Sequence, residues 1–255
     1  RGKIISDNQI EITSNSFEYS KIINSLEATG AVQVKDLKND IKINAEKILY
    51  LKDSEKIKTL GKTTIKISKK YTIEGDDLIF LKDKMILSTK KNAVIKDDKN
   101  NTYAVNKFEY YINQELLKAE KVTLVKIDEQ NNRDEFFFKN AFINLKENKF
   151  LAKDISAKFH KTLFNNNKND PRVNALSGYG DKSSTYFEKG IFTTCKKTDK
   201  CPPWKIQARK IKHDKIKKQI IYKDAWLKIY DFPFIYFPKF FHPDPSVKRQ
   251  SGFLT

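Results

Sequence analysis

The stretch Ile41-Lys-Ile-Asn-Ala-Glu-Lys-Ile-Leu-Tyr-Leu51 alternates apolar and polar residues along most of its length. Alternation with a period of two is typical of a β-strand that has one buried face. The pattern returns at a fixed interval, because Ile12, Ile43, Ile73 and Tyr103 are separated by 31, 30 and 30 residues. We therefore predict a protein built from β-repeats of about 30 residues.

Five further columns of apolar or small residues keep the same register across four repeats, which supports this prediction. They are Phe17, Ile48, Leu78, Phe108; Tyr19, Tyr50, Phe80, Tyr110; Leu26, Ile57, Leu87, Leu117; Ala28, Thr59, Thr89, Ala119; and Val34, Ile65, Ile95, Val125. The signature returns less perfectly in two later places, which we interpret as a fifth and a sixth repeat. These places are Phe137, Phe142, Asn144 and Ile206, Ile211, His213.

The predicted fold is an all-β stack of about six repeats, each adding one rung of ~4.8 Å. One repeat cannot bury its apolar face alone, so stacking stabilises the array and leaves open edges at its ends. The interior has two possible forms. Alternating apolar columns are typical of a filled core, whereas the small residues among them could line a trough for acyl chains.

Composition narrows the classes of partner and site. The net charge of +18 is spread along the chain, which fits either a solvated basic surface or anionic partners. The two cysteines are spaced Cys195-x5-Cys201, with three histidines elsewhere in the chain, which is a poor zinc pattern and suits a disulfide better. We predict no metal site, no cofactor, no signal peptide and no membrane-spanning helix.

Two segments depart from the repeats. Residues 160–203 are rich in Asn, Gly, Ser and Pro, which predicts a long loop insertion. Residues 229–255 are rich in aromatic residues and contain four prolines, which lack the N–H that a strand pairing needs. We expect these prolines either to end a strand or to hold this junction open. They are Pro233, Pro238, Pro243 and Pro245.

The second of these segments carries a family resemblance. Pro233-Phe-Ile-Tyr-Phe-Pro238 and His242-Pro-Asp-Pro-Ser-Val-Lys-Arg-Gln-Ser-Gly-Phe-Leu254 resemble the junction where the periplasmic domain of the LptD family, the LPS-assembly or organic solvent tolerance proteins, enters its outer-membrane barrel. Three further motifs are similar to that family: Asn169-Asp-Pro-Arg172, Phe192-Thr-Thr-Cys195 and Trp204-Lys-Ile-Gln-Ala208. The repeats resemble its OstA-type units.

The resemblance implies a twisted, V-shaped β-jellyroll stack of the OstA and LptA type. It implies a periplasmic domain over residues 1–228 and, over residues 229–255, a junction to an outer-membrane barrel outside this chain. The domain would lie at the periplasmic face of the outer membrane and would carry lipopolysaccharide (LPS) without catalysis. Its expected partners are an LptA-like bridge protein, joined by strand addition at the N-terminal edge near Ile10 and Ile12, and an LptE-like lipoprotein bound through the barrel.

The resemblance implies that residues of the interior columns line a lipid groove and that the four prolines mark its exit. The candidate groove residues are Ile12, Phe17, Tyr19, Ile43, Ile48, Tyr50, Ile73, Leu78, Phe80, Phe108, Tyr110, Phe142, Ile206 and Ile211. In the family, a cysteine at the position of Cys195 bonds to the barrel; in this chain Cys195 could also pair with Cys201. The alternative function is a β-solenoid enzyme or binding protein for an acidic polysaccharide, for which clustered carboxylates would be needed.

Overall fold

The computed structural model describes residues 2–6, 9–164, 169–196, 203–244 and 247, and these residues form an all-β protein, as the sequence predicts. None of the described residues belongs to an α-helix, so none forms a helix that could span a membrane. The chain folds into two compact units, Arg1–Lys121 and Val122–Thr255. The first unit ends where the regular 30-residue spacing ends.

The first unit contains strands of three to twelve residues, joined by tight turns and by 3₁₀ turns at Lys52–Ser54 and Ile112–Gln114. The last of its strands continues into the second unit. The strands are β1 (Gly2–Ile5), β2 (Ile10–Ser14), β3 (Ser16–Ser20), β4 (Ser25–Asp36), β5 (Ile41–Leu51), β6 (Lys56–Ile67), β7 (Tyr71–Asp76), β8 (Ile79–Leu81), β9 (Ile86–Thr89), β10 (Ala93–Asp97), β11 (Thr102–Val105), β12 (Lys107–Tyr111) and β13 (Leu116–Ile127).

These strands form two antiparallel ladders. The first ladder runs β1–β2–β4–β5–β6–β7–β10–β11–β13. The second runs β3–β4–β5–β6–β8–β9–β12–β13. The long strands β4, β5 and β6 belong to both ladders, one half to each, and β13 pairs with both β11 and β12.

A kink in the middle of a strand makes this sharing possible. Pairing of β4 with β5 is interrupted between Thr29 and Val32, where Gly30 and Ala31 have φ of 84° and 47°. Gly61 repeats this left-handed conformation in β6, with φ of 74°. An extra residue in the left-handed region bends a strand and changes which face the following residues present. The kinks thus turn each long strand from one ladder into the other.

Apart from Val125, the residues of the six sequence columns merge into three rows of neighbours, because each repeat contributes two strands to each row. The prediction of one rung per repeat is therefore wrong: each repeat adds two strand spacings. The first row is Ile12, Val34, Ile43, Ile65, Ile73, Ile95 and Tyr103. The second is Phe17, Ala28, Ile48, Thr59, Leu78, Thr89, Phe108 and Ala119, and the third is Tyr19, Leu26, Tyr50, Ile57, Phe80, Leu87, Tyr110 and Leu117.

The turns of the second ladder recur with the same spacing of about 30 residues. Four turn residues at intervals of 31, 30 and 30 have φ between 41° and 52°: Asn24, Glu55, Met85 and Glu115. The carbonyl of each of the first three accepts an N–H from the next turn, at 2.9–3.1 Å. These bonds run from Lys52 to Asn24, from Lys82 to Glu55 and from Ile112 to Met85.

The second unit is an antiparallel meander in which each strand pairs with the next. Its strands are β14 (Arg133–Asn144), β15 (Lys149–Lys158), β16 (Arg172–Gly180), β17 (Ser184–Thr193), β18 (Trp204–Asp214), β19 (Gln219–Ile229) and β20 (Phe232–Pro243). The loop predicted over residues 160–203 is not a loop throughout, because β16 and β17 occupy 19 of these 44 residues. Gly178 and Gly180 lie within β16, so there glycine marks close backbone packing rather than a loop.

The core of the second unit has a different period. Left-handed residues Asp154, Lys189 and Asp224 follow one another at intervals of 35, against 30 in the first unit. The fixed spacing therefore misassigns the fifth repeat: Phe137 and Phe142 are 42% and 45% exposed. Their neighbours in β14 fill the core instead, and these are Phe138, Ala141 and Ile143.

The C-terminal segment is paired, although its prolines predicted an interrupted junction. Strand β20 pairs along the whole of β19, with one irregularity at Leu227/Lys228. Pro233 and Pro243 lie inside this pairing, and Pro238 falls opposite the left-handed residue Asp224. Proline is tolerated there because β20 is the last described strand of the meander. Pro245 lies outside the described residues.

Candidate functional site

Nine of the predicted groove residues lie side by side in the interior of the first unit, where the two ladders face each other. Each of these side chains is at most 3% exposed. They are Ile12, Ile43 and Ile73 from the first row, Ile48, Leu78 and Phe108 from the second, and Tyr50, Phe80 and Tyr110 from the third. The structure therefore brings these candidates together as one continuous apolar interior.

The remaining five candidates lie elsewhere. Phe17 is half-buried and Tyr19 is 53% exposed, because both belong to β3, the outermost described strand of the second ladder. Ile211 is buried in the second unit, with Ile206 half-buried against the same cluster. Phe142 points outward, so it is not a groove residue.

Hydroxyl groups near the kinks are satisfied by local hydrogen bonds. Thr59 Oγ1 accepts the N–H of Leu78 at 2.9 Å, and Thr63 Oγ1 donates to Thr59 Oγ1 at 2.7 Å. Ser14 Oγ donates to the carbonyl of Thr29 at 2.8 Å. The Thr59 hydroxyl, which belongs to the second row, is thus satisfied, whereas the buried Tyr110 hydroxyl of the third row makes no hydrogen bond within the described residues.

On the side opposite the kinks, the turns of the two ladders meet, and we call this line the lateral seam. Glu115, from a turn of the second ladder, accepts a hydrogen bond from Tyr71 Oη at 2.7 Å and an ion pair from Lys70 Nζ at 2.9 Å. Both partners belong to the first ladder. Burial and the Glu115 carboxylate together raise the pKa of Tyr71 far above its ordinary value of 10.0, so the phenol keeps its proton and donates.

A polar cleft of about 530 Å³ opens along the same seam. Its walls come from both ladders, with Lys38 and Lys82 supplying positive charge from opposite sides. The other lining residues are Gln9, Asn39, Glu55, Asp83, Met85 and Asn113. Because Glu55 and Asp83 lie in the same lining, the opening carries charges of both signs beside the apolar interior.

The acidic residues that would serve a polysaccharide enzyme instead organise turns. Asp97 and Asp128 each accept two backbone N–H groups and the side-chain amide of an asparagine. Hydrogen bonds from the side chain and N–H of Ser183 and from the N–H of Ser184 lower the pKa of Asp181 to about 2. Within the described residues, no three His, Cys, Asp or Glu side chains form a group that could hold a metal ion.

The cysteine prediction is only partly within the described structure. Cys195 lies after β17, where its thiol is 3.6 Å from the carbonyl oxygen of Trp204. Its own carbonyl accepts a hydrogen bond from Arg172, a residue of the Asn-Asp-Pro-Arg motif. The three further motifs of the family resemblance are thus in contact around Cys195. Cys201 lies outside the described residues.

Sequence reasoning missed the lateral seam and the exposed end of β20. Glu115 and Tyr71 are 44 residues apart and belong to none of the six columns, so no spacing rule pairs them. The sequence shows that residues 229–236 are rich in aromatic side chains, but it does not show that these side chains are exposed. No known protein-family model matches the chain, and a search of curated proteins finds no significant match.

Proposed function

We propose that this chain carries lipopolysaccharide through the periplasm towards the outer membrane, as a V-shaped β-jellyroll of the type that its sequence resembles. The observation that carries the proposal is the continuous apolar interior between two ladders that share kinked strands. An interior of this kind, with open strand edges at its ends, suits a lipid tail better than a compact solute.

The interior offers acyl chains a largely apolar lining, in which the Tyr50 and Tyr110 hydroxyls are the polar groups of the candidate residues. Each methylene group transferred from water into such surroundings contributes about 0.8 kcal/mol. Ile48, Leu78 and Phe108 are fully buried, so the two ladders must separate before a chain can enter. We infer that they separate at the lateral seam, where contacts between the ladders are side-chain contacts rather than backbone pairing.

The cleft at the seam would take the anionic head group. Lys38 and Lys82 face it from opposite ladders, and phosphate oxygens accept charge-assisted hydrogen bonds from lysine. A lipid held in this way would have its acyl chains between the ladders and its phosphates at the seam. The net charge of +18 favours the approach of such a ligand over the whole surface.

The unpaired strand edges of this chain would join it to its partner proteins. Ile10 and Ile12 were predicted to form the docking edge, but β1 covers them, so the available strands are β1 and β3. Either could add a strand of an LptA-like bridge protein. At the other end, β20 would lead into the outer-membrane barrel, through which an LptE-like partner would bind. The prolines would then mark where the cargo leaves.

A competition experiment tests the proposal. The chain is incubated with fluorescent LPS, and unlabelled lipid A, deacylated LPS and an acidic polysaccharide are added separately as competitors. We expect lipid A to displace the label and the two lipid-free competitors to have no effect, since the apolar interior supplies most of the affinity. Displacement by the acidic polysaccharide alone would instead support the polysaccharide-binding alternative, and a reducing-end assay would then detect any turnover.

A further inference from the structure

The exposed apolar side chains of the described residues are concentrated at one place. Of the twenty large apolar side chains that are exposed there, seven lie between residues 226 and 236. The five aromatic ones form what we call the aromatic edge. They are Trp226 at 41% exposure, Tyr230 at 61%, Phe232 at 78%, Phe234 at 65% and Tyr236 at 44%. A patch of this size on a surface marks a site of interaction.

The aromatic edge is ordered by contacts of its own. The rings of Trp226 and Tyr236 lie 5.1 Å apart on adjacent positions of β19 and β20. The hydroxyl of Tyr236 donates to Asp224, and Asp224 also pairs with Arg209. The polar end of Tyr236 is therefore directed towards a charged group, while its ring remains 44% exposed.

A row of lysines runs across the same outward face. Lys210 lies directly opposite Lys223, and Lys223 lies directly opposite Lys239, so three exposed ammonium groups follow one another across β18, β19 and β20. Like charges in directly opposite positions destabilise a sheet. Lys210 pairs with Glu188 at 3.4 Å, and among the described residues Lys223 and Lys239 have no ion-pair partner. An external anion would remove this repulsion.

The prolines make a protein strand an unsuitable partner for this edge. Strand addition requires backbone N–H donors along the free side of β20. Pro233, Pro238 and Pro243 occur at every fifth position and have no N–H to donate. The aromatic side chains, by contrast, project from the strand and need no backbone pairing.

We propose that the aromatic edge and the lysine row together bind the interface of a lipid bilayer that contains anionic phospholipids. Tryptophan and tyrosine are enriched at the membrane–water interface, and neighbouring lysines bind anionic head groups. This surface is separate from the interior of the first unit, and its binding requires no lipopolysaccharide. Membrane binding by this surface can therefore be tested independently of lipopolysaccharide transport.

The experiment is flotation of the full chain with vesicles of phosphatidylcholine, with and without phosphatidylglycerol. We expect binding to the anionic vesicles and much weaker binding to the neutral ones. The triple variant K210Q/K223Q/K239Q should bind anionic vesicles about 10²-fold more weakly, at about fivefold per lysine. The double variant F232S/F234S should lose at least about tenfold, because it removes the most exposed rings.

Two control variants replace residues of the same types in the first unit, outside the aromatic edge and the lysine row. The variant I22S/I23S replaces two exposed apolar residues in a turn of the first unit, and K42Q/K66Q/K96Q replaces three lysines on its outer face. Neither should change binding. In a Trp204→Phe background Trp226 is the one remaining tryptophan, and its emission should shift to the blue on anionic vesicles.

Three results would overturn the inference. They are failure of the unaltered chain to float with anionic vesicles, equal losses in the control variants, and a dimer that F232S/F234S dissociates, which would assign the edge to a second copy of the chain. Should a variant fail to fold, the Trp226 emission in the Trp204→Phe chain still decides the matter, since an unshifted spectrum contradicts the proposal.

Discussion

Glu115 shows how a single carboxylate joins a turn of the second ladder to the start of β7 in the first ladder. It is held by a phenol and an ammonium group from the first ladder, although its own turn belongs to the second. The side chain is 17% exposed, so these interactions are only partly screened by water. At the residue scale, this contact decides how firmly the lateral seam is closed.

We expect Tyr71→Phe to lower the free energy of unfolding by about 1–2 kcal/mol, because it removes a hydrogen bond to a charged acceptor and leaves the Glu115 oxygen buried. Urea unfolding measures this loss. If the seam is the route of entry, the variant should also admit a fluorescent acyl probe faster. The control is Glu120→Ala, which breaks an exposed pair with Lys107 and should cost less than about 0.5 kcal/mol. Equal losses in the two variants would mean that the seam contact has no special role.

His242 is a second residue whose environment has a measurable consequence. Its ring lies against Tyr222, its Nδ1 donates to the carbonyl of Pro243 at 2.7 Å, and its Nε2 accepts from Tyr222 Oη at 3.1 Å. Burial lowers the pKa of His242 below its ordinary value of 6.5, since the neutral ring fits this site and the imidazolium does not.

The unfolded chain therefore binds a proton at a higher pH than the folded chain does. As the pH falls below about 6.5, the unfolded state takes up more protons, and the free energy of unfolding decreases. Urea titrations at pH 8 and pH 5 should show this slope, and His242→Gln should reduce it. An unchanged slope in His242→Gln would contradict the assignment.

At the scale of elements, both compact units contain strands that bend at a left-handed residue. The alternation in the sequence predicts which residues of the first unit are buried, and it does so because the kinks recur with the same period as the columns. In the second unit the kinks are 35 residues apart, so the fixed spacing puts Phe137 and Phe142 on the wrong face. A left-handed residue such as Lys189 or Asp154 has no obvious sequence signal, because glycine usually occupies that conformation.

Gly61 tests the contribution of a kink. Its φ is 74°, and a β-carbon added there would meet no atom within 4 Å, so any cost comes from the backbone alone. We expect Gly61→Val to destabilise the chain by about 1–2 kcal/mol and Gly61→Asn by much less, because asparagine tolerates the left-handed region. Thermal unfolding of both variants measures the difference. Equal stability of the valine and asparagine variants would show that the conformation at Gly61 is not required.

At the scale of the whole molecule, sequence and structure agree on an all-β chain with an apolar interior. The sequence columns identified nine of the interior residues because stacked strands impose one register on every repeat. The contacts across the lateral seam and the exposure of the aromatic edge could not be predicted, since both depend on which turns meet in space. The paired state of β20 was also missed, because prolines end a central strand but are tolerated in an edge strand.

The central claim is that lipopolysaccharide occupies the space between the two ladders of the first unit. The most direct test places a photo-crosslinking amino acid at Phe108, which is 1% exposed, and at the adjacent outward residue Glu109 on the same strand. Further inward positions are Ile48 and Leu78, with Lys66 as a second outward control. During transport in cells, the inward positions should capture lipopolysaccharide and the outward ones should not. Capture from both faces alike, or from neither, would contradict the account.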